Sequence, residues 1–105
     1  MPPPRALPIE IPQAELAAFC RKWGIRKLSF FGSVVRDDFT DASDVDVLVE
    51  FGDRTAGLSF FHTMPEELST ILGGRPVDLL TPGSLSRSIR DDVLSEAVVQ
   101  YDEAF

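Results

Sequence analysis

The chain has 105 residues, a net charge of −7, an apolar fraction of 44% and a single cysteine. Such a length suits one domain around one core. The acidic balance argues against a direct grip on nucleic-acid phosphates, which needs clustered Lys and Arg, and lone Cys20 excludes an intrachain disulfide and a Cys-rich zinc site.

Pro2, Pro3, Pro4 and Pro8 make residues 1–8 an extended, proline-rich lead. A single folded domain is expected over residues 9–105. Pro12 suits the first turn of a helix running to about Trp23, with Leu16, Phe19 and Cys20 near one face and Gly24 as its stop. Cys20 is then expected to be buried and inert. Arg26 to Phe31 reads as a strand and residues 33–38 as a short helix or turn. Asp37 to Ser43 reads as a loop, and Val45 to Phe51 as the second strand.

A turn follows at Gly52 to Ala56. A helical stretch then runs from about Leu58 to Leu72, with Leu58, Phe61, Leu68, Ile71 and Leu72 on its buried face. Pro65 divides or restarts it, and Gly73-Gly74 ends it. Pro76 to Leu80 is the third strand. Thr81-Pro82-Gly83 is a turn, after which Ser84 or Ser86 caps a last helix to about Ala97. Its Ile89, Val93 and Leu94 are expected to face the core. Val98 to Tyr101 is a short strand or an extended tail. The fold class that follows is α+β, a small mixed β-sheet packed by helices. No apolar run reaches the length of a membrane span and no signal-peptide pattern opens the chain, so the cytoplasm is the expected compartment.

The chemistry concentrates between Leu28 and Phe51. An apolar run ends in Gly32-Ser33, Arg36 follows, and Ser43-Asp44-Val45-Asp46 opens the second apolar run. Side chains at i and i+2 of a strand share a face, so Asp44 and Asp46 project together with α-carbons roughly 7 Å apart. Val45, Val47 and Val49 point the other way, into the core. At that separation and an effective dielectric near 20, the two charges repel by about 2 kcal/mol. A divalent cation reverses that sign, and magnesium takes hard oxygen ligands together with substrate phosphates. Glycine in the Gly32-Ser33 turn allows close backbone approach to an anion. On the third strand, Asp78 faces away from Val77 and Leu79, as Asp46 faces away from Val45 and Val47.

Other polar residues have plainer readings. His62 lies away from this stretch and reads as structural or surface. Glu66-Glu67 and Asp91-Asp92 read as solvated helix faces, and Trp23 and the phenylalanines as core. Arg87 and Arg90 could reach a triphosphate from beyond the third strand, but a surface role fits them better.

Gly32, Ser33, Arg36, Ser43, Asp44, Val45 and Asp46, followed by Val77-Asp78-Leu79, resemble the signature of the minimal nucleotidyltransferase family of the DNA polymerase beta-like superfamily. The resemblance covers about residues 10 to 100. It implies the nucleotidyltransferase fold and transfer of a nucleoside monophosphate from a triphosphate to a hydroxyl. Asp44, Asp46 and Asp78 would be the catalytic carboxylates, holding two magnesium ions on ATP. Gly32, Ser33, Arg36 and Ser43 would contact the nucleotide. Members of this family are often paired with HEPN-domain ribonuclease toxins and act as antitoxins by adenylylating a toxin tyrosine. A HEPN toxin is therefore the expected partner; an oligomer stays open. Two alternatives stand beside this reading: a non-catalytic antitoxin that neutralises its partner by binding, and a small-molecule nucleotidyltransferase.

Overall fold

A computed structural model describes residues 9–35, 40, 43–52 and 62–103. The proline lead, Arg36, most of the predicted turn after Gly52, and Leu58 and Phe61 lie outside the described residues. The described elements are α1 (Gln13–Trp23), β1 (Ile25–Phe31), a 3-10 turn (Gly32–Val35), β2 (Val45–Phe51) and α2 (Thr63–Ile71). They continue with β3 (Val77–Leu80), a second 3-10 turn (Pro82–Ser84), α3 (Arg87–Glu96) and β4 (Val98–Asp102). No helix among the described residues is long and apolar enough to cross a membrane.

The strands form one mixed sheet in the order β3-β2-β1-β4. β1 runs antiparallel to both β2 and β4, and β2 runs parallel to β3. The segment from Val98, expected as strand or tail, is thus a true edge strand, and among the described residues the sheet has four strands. The β2–β3 crossover carries α2, as a parallel pair requires.

Alternation along the strands sends one set of side chains to each face. The first face carries Leu28 and Phe30 from β1 and Val45, Val47 and Val49 from β2, all fully buried. Leu16, Phe19 and Cys20 of α1 pack on it, with Met64, Leu68 and Leu72 from the α2 region. Pro65 lies in the first turn of α2, where its missing N–H breaks no helical hydrogen bond, and the helical stretch expected over residues 58–61 lies outside the described residues. Burial pushes the Cys20 thiol up to about 12, so it stays neutral and inert, as expected.

The second face carries a smaller cluster of Phe31, Leu48 and Leu85, with Leu80, Val93 and Ala97 packed against it. This corrects the reading of α3. Val93 turns inward, but Ile89 and Leu94 are 48% and 44% exposed. They flank the stripe that α3 presents to the sheet, and the cluster beneath is too small to cover them. Ser86 sits at the N-cap of α3 without a side-chain capping bond. Ser84 instead closes the second 3-10 turn, its hydroxyl accepting from the Thr81 N–H at 3.1 Å.

Glu67 is a second correction, since it is not a solvated helix face. Its carboxylate accepts from Lys22 Nζ at 2.8 Å and from Trp23 Nε1 at 2.8 Å, clamping α2 to the end of α1. Trp23 is half-buried, with Lys22 Nζ 5.2 Å from its ring centroid. The Lys22 hydrogen bond lowers the Glu67 carboxyl below the usual range, the Trp23 bond adds to this, and partial burial opposes it. The clamp therefore contributes stability above the unfolded carboxylate range, about pH 4.3, and loses it as pH falls through the lowered folded value. Glu67→Ala is expected to cost about 1 kcal/mol at neutral pH, less than a buried hydrogen bond to a charged group because Lys22 is mostly exposed. That corresponds to a melting temperature roughly 4–8 °C lower. Thermal melts from pH 7 to pH 3 should show the gap between native and variant closing at acid pH.

Candidate active site

The site lies where β1 ends and β2 and β3 begin, on the second face of the sheet. β2 starts at Val45 and is pinned to the entry of β3 by the Val45 N–H, which donates to the Pro76 carbonyl at 2.8 Å. Asp46 is the register partner of Phe31 on one side and of Asp78 on the other. Neighbouring strands lie about 5 Å apart, so Asp46 and Asp78 stand side by side on one face. Asp78 is exposed and Asp46 half-buried, while Val45 and Val47 beneath them are fully buried. Asp44 is exposed just before β2. The alternation that places carboxylates outward and valines inward holds on both strands.

Gly32 follows Phe31 directly and begins the 3-10 turn. Its φ is +75°, in the left-handed region that side chains disfavour. A β-carbon at this position would overlap Oδ2 of Asp46 and lie 3.1 Å from its Cγ. The Asp46 carboxylate therefore rests against the glycine, in space that only glycine leaves open. Gly32 is buried and Ser33 half-buried. The Gly32 N–H donates to Oε1 of Glu96 on α3 at 2.9 Å.

Ser43 takes part in a local turn. Its Oγ accepts from the Thr40 N–H at 3.0 Å, and its N–H donates to the Thr40 carbonyl at 3.0 Å. Arg36 lies outside the described residues. His62 is exposed at the start of α2, on the helix that packs against the opposite face. Arg87 is exposed, and Arg90 is half-buried with Nη2 donating to the Leu85 carbonyl at 3.1 Å.

The donor set suits magnesium. Asp44, Asp46 and Asp78 offer hard carboxylate oxygens from one end of the sheet, two of them open to solvent. Among the described residues no three ligating side chains close into a ready cage. Magnesium does not require one, because it keeps waters and takes substrate phosphates as ligands.

Glu96 is the residue that sequence reasoning missed. It lies 64 positions from Gly32, and no local pattern links the two.

The family model for the nucleotidyltransferase domain matches residues 16–100. Over 77 residues the chain is 40% identical to the protein adenylyltransferase MntA of Thermococcus cleftensis, covering 73% of this chain and 76% of that one. A solved structure provisionally assigned as a minimal nucleotidyltransferase has a TM-score of 0.68 at 30% identity, over 82% of this chain and 86% of its own. A toxin–antitoxin crystal structure with AMP-PNP has a TM-score of 0.70 at 18% identity, over 88% of this chain and 74% of the matched one. At that identity the last likeness speaks for the fold alone.

Proposed function

This chain belongs to the nucleotidyltransferase domain family, in its minimal branch, and on that premise we propose that it moves AMP from ATP to a tyrosine hydroxyl of a HEPN-type toxin and acts as its antitoxin. The observation that carries the reading is the pairing of Asp46 with Asp78 beside Gly32. Like charges at opposed register positions destabilise a sheet. A cation bound between them would offset that repulsion, which supports the reading.

In this reading Asp44, Asp46 and Asp78 hold magnesium, and Gly32, Ser33 and Arg36 receive the outer phosphates. Ser43 braces the approach to Asp44 through its bonds to Thr40. Bound magnesium supplies charge neutralisation on the triphosphate. The tyrosine oxygen bonds to the α-phosphorus, the bond from that phosphorus to the bridging oxygen breaks, and pyrophosphate leaves. Asp78, the more exposed of the register pair, takes up the hydroxyl proton. The family likeness to a protein adenylyltransferase supports a protein acceptor, and the toxin–antitoxin likeness in fold is consistent with a toxin as that acceptor.

The test is co-expression with a HEPN-type partner followed by intact mass of that partner. The native chain is expected to add one or more AMP units. Asp78→Asn is expected to co-purify with the partner but to add none. A partner that stays unmodified yet is neutralised by both chains would replace the enzyme with a module that acts by occlusion. Modification of a small molecule in place of the protein would move the chain to the third reading.

A further inference from the structure

We propose that Glu96 is a positioning residue for the phosphate-binding turn, a role that rests on the transferase reading above. Glu96 is the last residue of α3, far from the carboxylates in sequence, yet its Oε1 accepts the Gly32 N–H at 2.9 Å. The contact is part-buried, and the bond is charge-assisted. Gly32 is held from two sides. The Asp46 carboxylate rests against its α-carbon, and the Glu96 carboxylate fixes its amide. The amide bond sets the orientation of the first peptide of the turn, and so the direction in which Ser33 and the following backbone are presented. It also ties the turn to α3, which is seated on the second face through Val93 and, just beyond its end, Ala97.

Charge alone argues against a carboxylate at this place. A triphosphate carries several negative charges, and another anion beside its cradle opposes binding. If Glu96 acted only through its charge, every neutral replacement would tighten nucleotide binding. If it acts by orienting the turn, the outcome depends on whether the replacement still accepts a hydrogen bond. Glutamine keeps an oxygen at the same reach, and alanine does not. The two roles therefore predict opposite signs for alanine.

The experiment compares the native chain, Glu96→Gln and Glu96→Ala by calorimetry with ATP and magnesium. The position and hydrogen exchange of the Gly32 amide are followed by NMR, and thermal melts are run on the same samples. Glu96→Gln is expected to bind as tightly as the native chain or up to about threefold tighter, with the Gly32 amide still protected. Glu96→Ala is expected to bind roughly tenfold more weakly, with faster exchange at Gly32. Binding that is equal or tighter in Glu96→Ala overturns the proposal, as does a lower melting temperature with affinity unchanged. Equal weakening in both variants also overturns it, because glutamine would then fail to rescue. If the native chain binds no nucleotide, the transferase reading falls and this role falls with it, a result seen before any variant is compared.

Discussion

Asp46→Asn is expected to reduce AMP transfer about a thousandfold or more while leaving the melting temperature of the nucleotide-free protein unchanged or slightly higher. The two effects separate because Asp46 does different work in the two states. Without a cation, Asp46 and Asp78 are like charges at paired positions of β2 and β3, and removing one relieves the pair. In the proposed transfer, the same carboxylate would hold magnesium against the triphosphate. A loss of about 4 kcal/mol of transition-state stabilisation corresponds to a thousandfold in rate. Asparagine fills nearly the same volume, so the Val45–Val49 strand keeps its packing. The measurement is the time course of partner mass alongside a thermal melt of the same preparation. A fall in melting temperature of more than a few degrees would make Asp46 a structural residue, and undiminished transfer would remove it from the chemistry.

Gly32→Ala is expected to damage stability and transfer together. The left-handed φ of +75° costs an alanine roughly 1–2 kcal/mol on its own. The added methyl also overlaps the Asp46 carboxylate, which must then move. A loss of about 2–3 kcal/mol follows, or a melting temperature lower by roughly 10–20 °C. Displacing Asp46 by even 1 Å is expected to reduce transfer about a hundredfold in the fraction that stays folded. Gly73 supplies the control. Its φ is +82°, but a β-carbon there meets nothing within 4 Å. Gly73→Ala should carry the backbone cost alone, about 1–2 kcal/mol, with transfer by the folded protein unchanged. If the two variants lose transfer equally, the contact between Gly32 and Asp46 has no part in catalysis.

Much of this was legible in the linear order of residues, because it depends on local geometry. A strand alternates every second residue, so Val45-Asp46-Val47 and Val77-Asp78-Leu79 by themselves set carboxylates on one face and core on the other. Trp23-Gly24 ended a helix and Gly32-Ser33 a strand, for reasons carried within a few bonds. The sequence also determined that Cys20 would be buried, from its place beside Leu16 and Phe19 on one helical face. Tertiary structure decided the rest, because it concerns partners that no local pattern specifies. Whether Ile89 and Leu94 were buried depended on how much of the second sheet face remained to cover, and the small cluster of Phe31, Leu48 and Leu85 takes Val93 and Ala97 from this part of the chain, beside Leu80. Glu67 became a clamp only because α2 packs beside the end of α1 and brings it to Lys22 and Trp23. The Val98 segment became an edge strand because β1 had a free side. Glu96 reached Gly32 because α3 returns across the sheet before β4 pairs with β1, closing 64 residues of chain onto one amide.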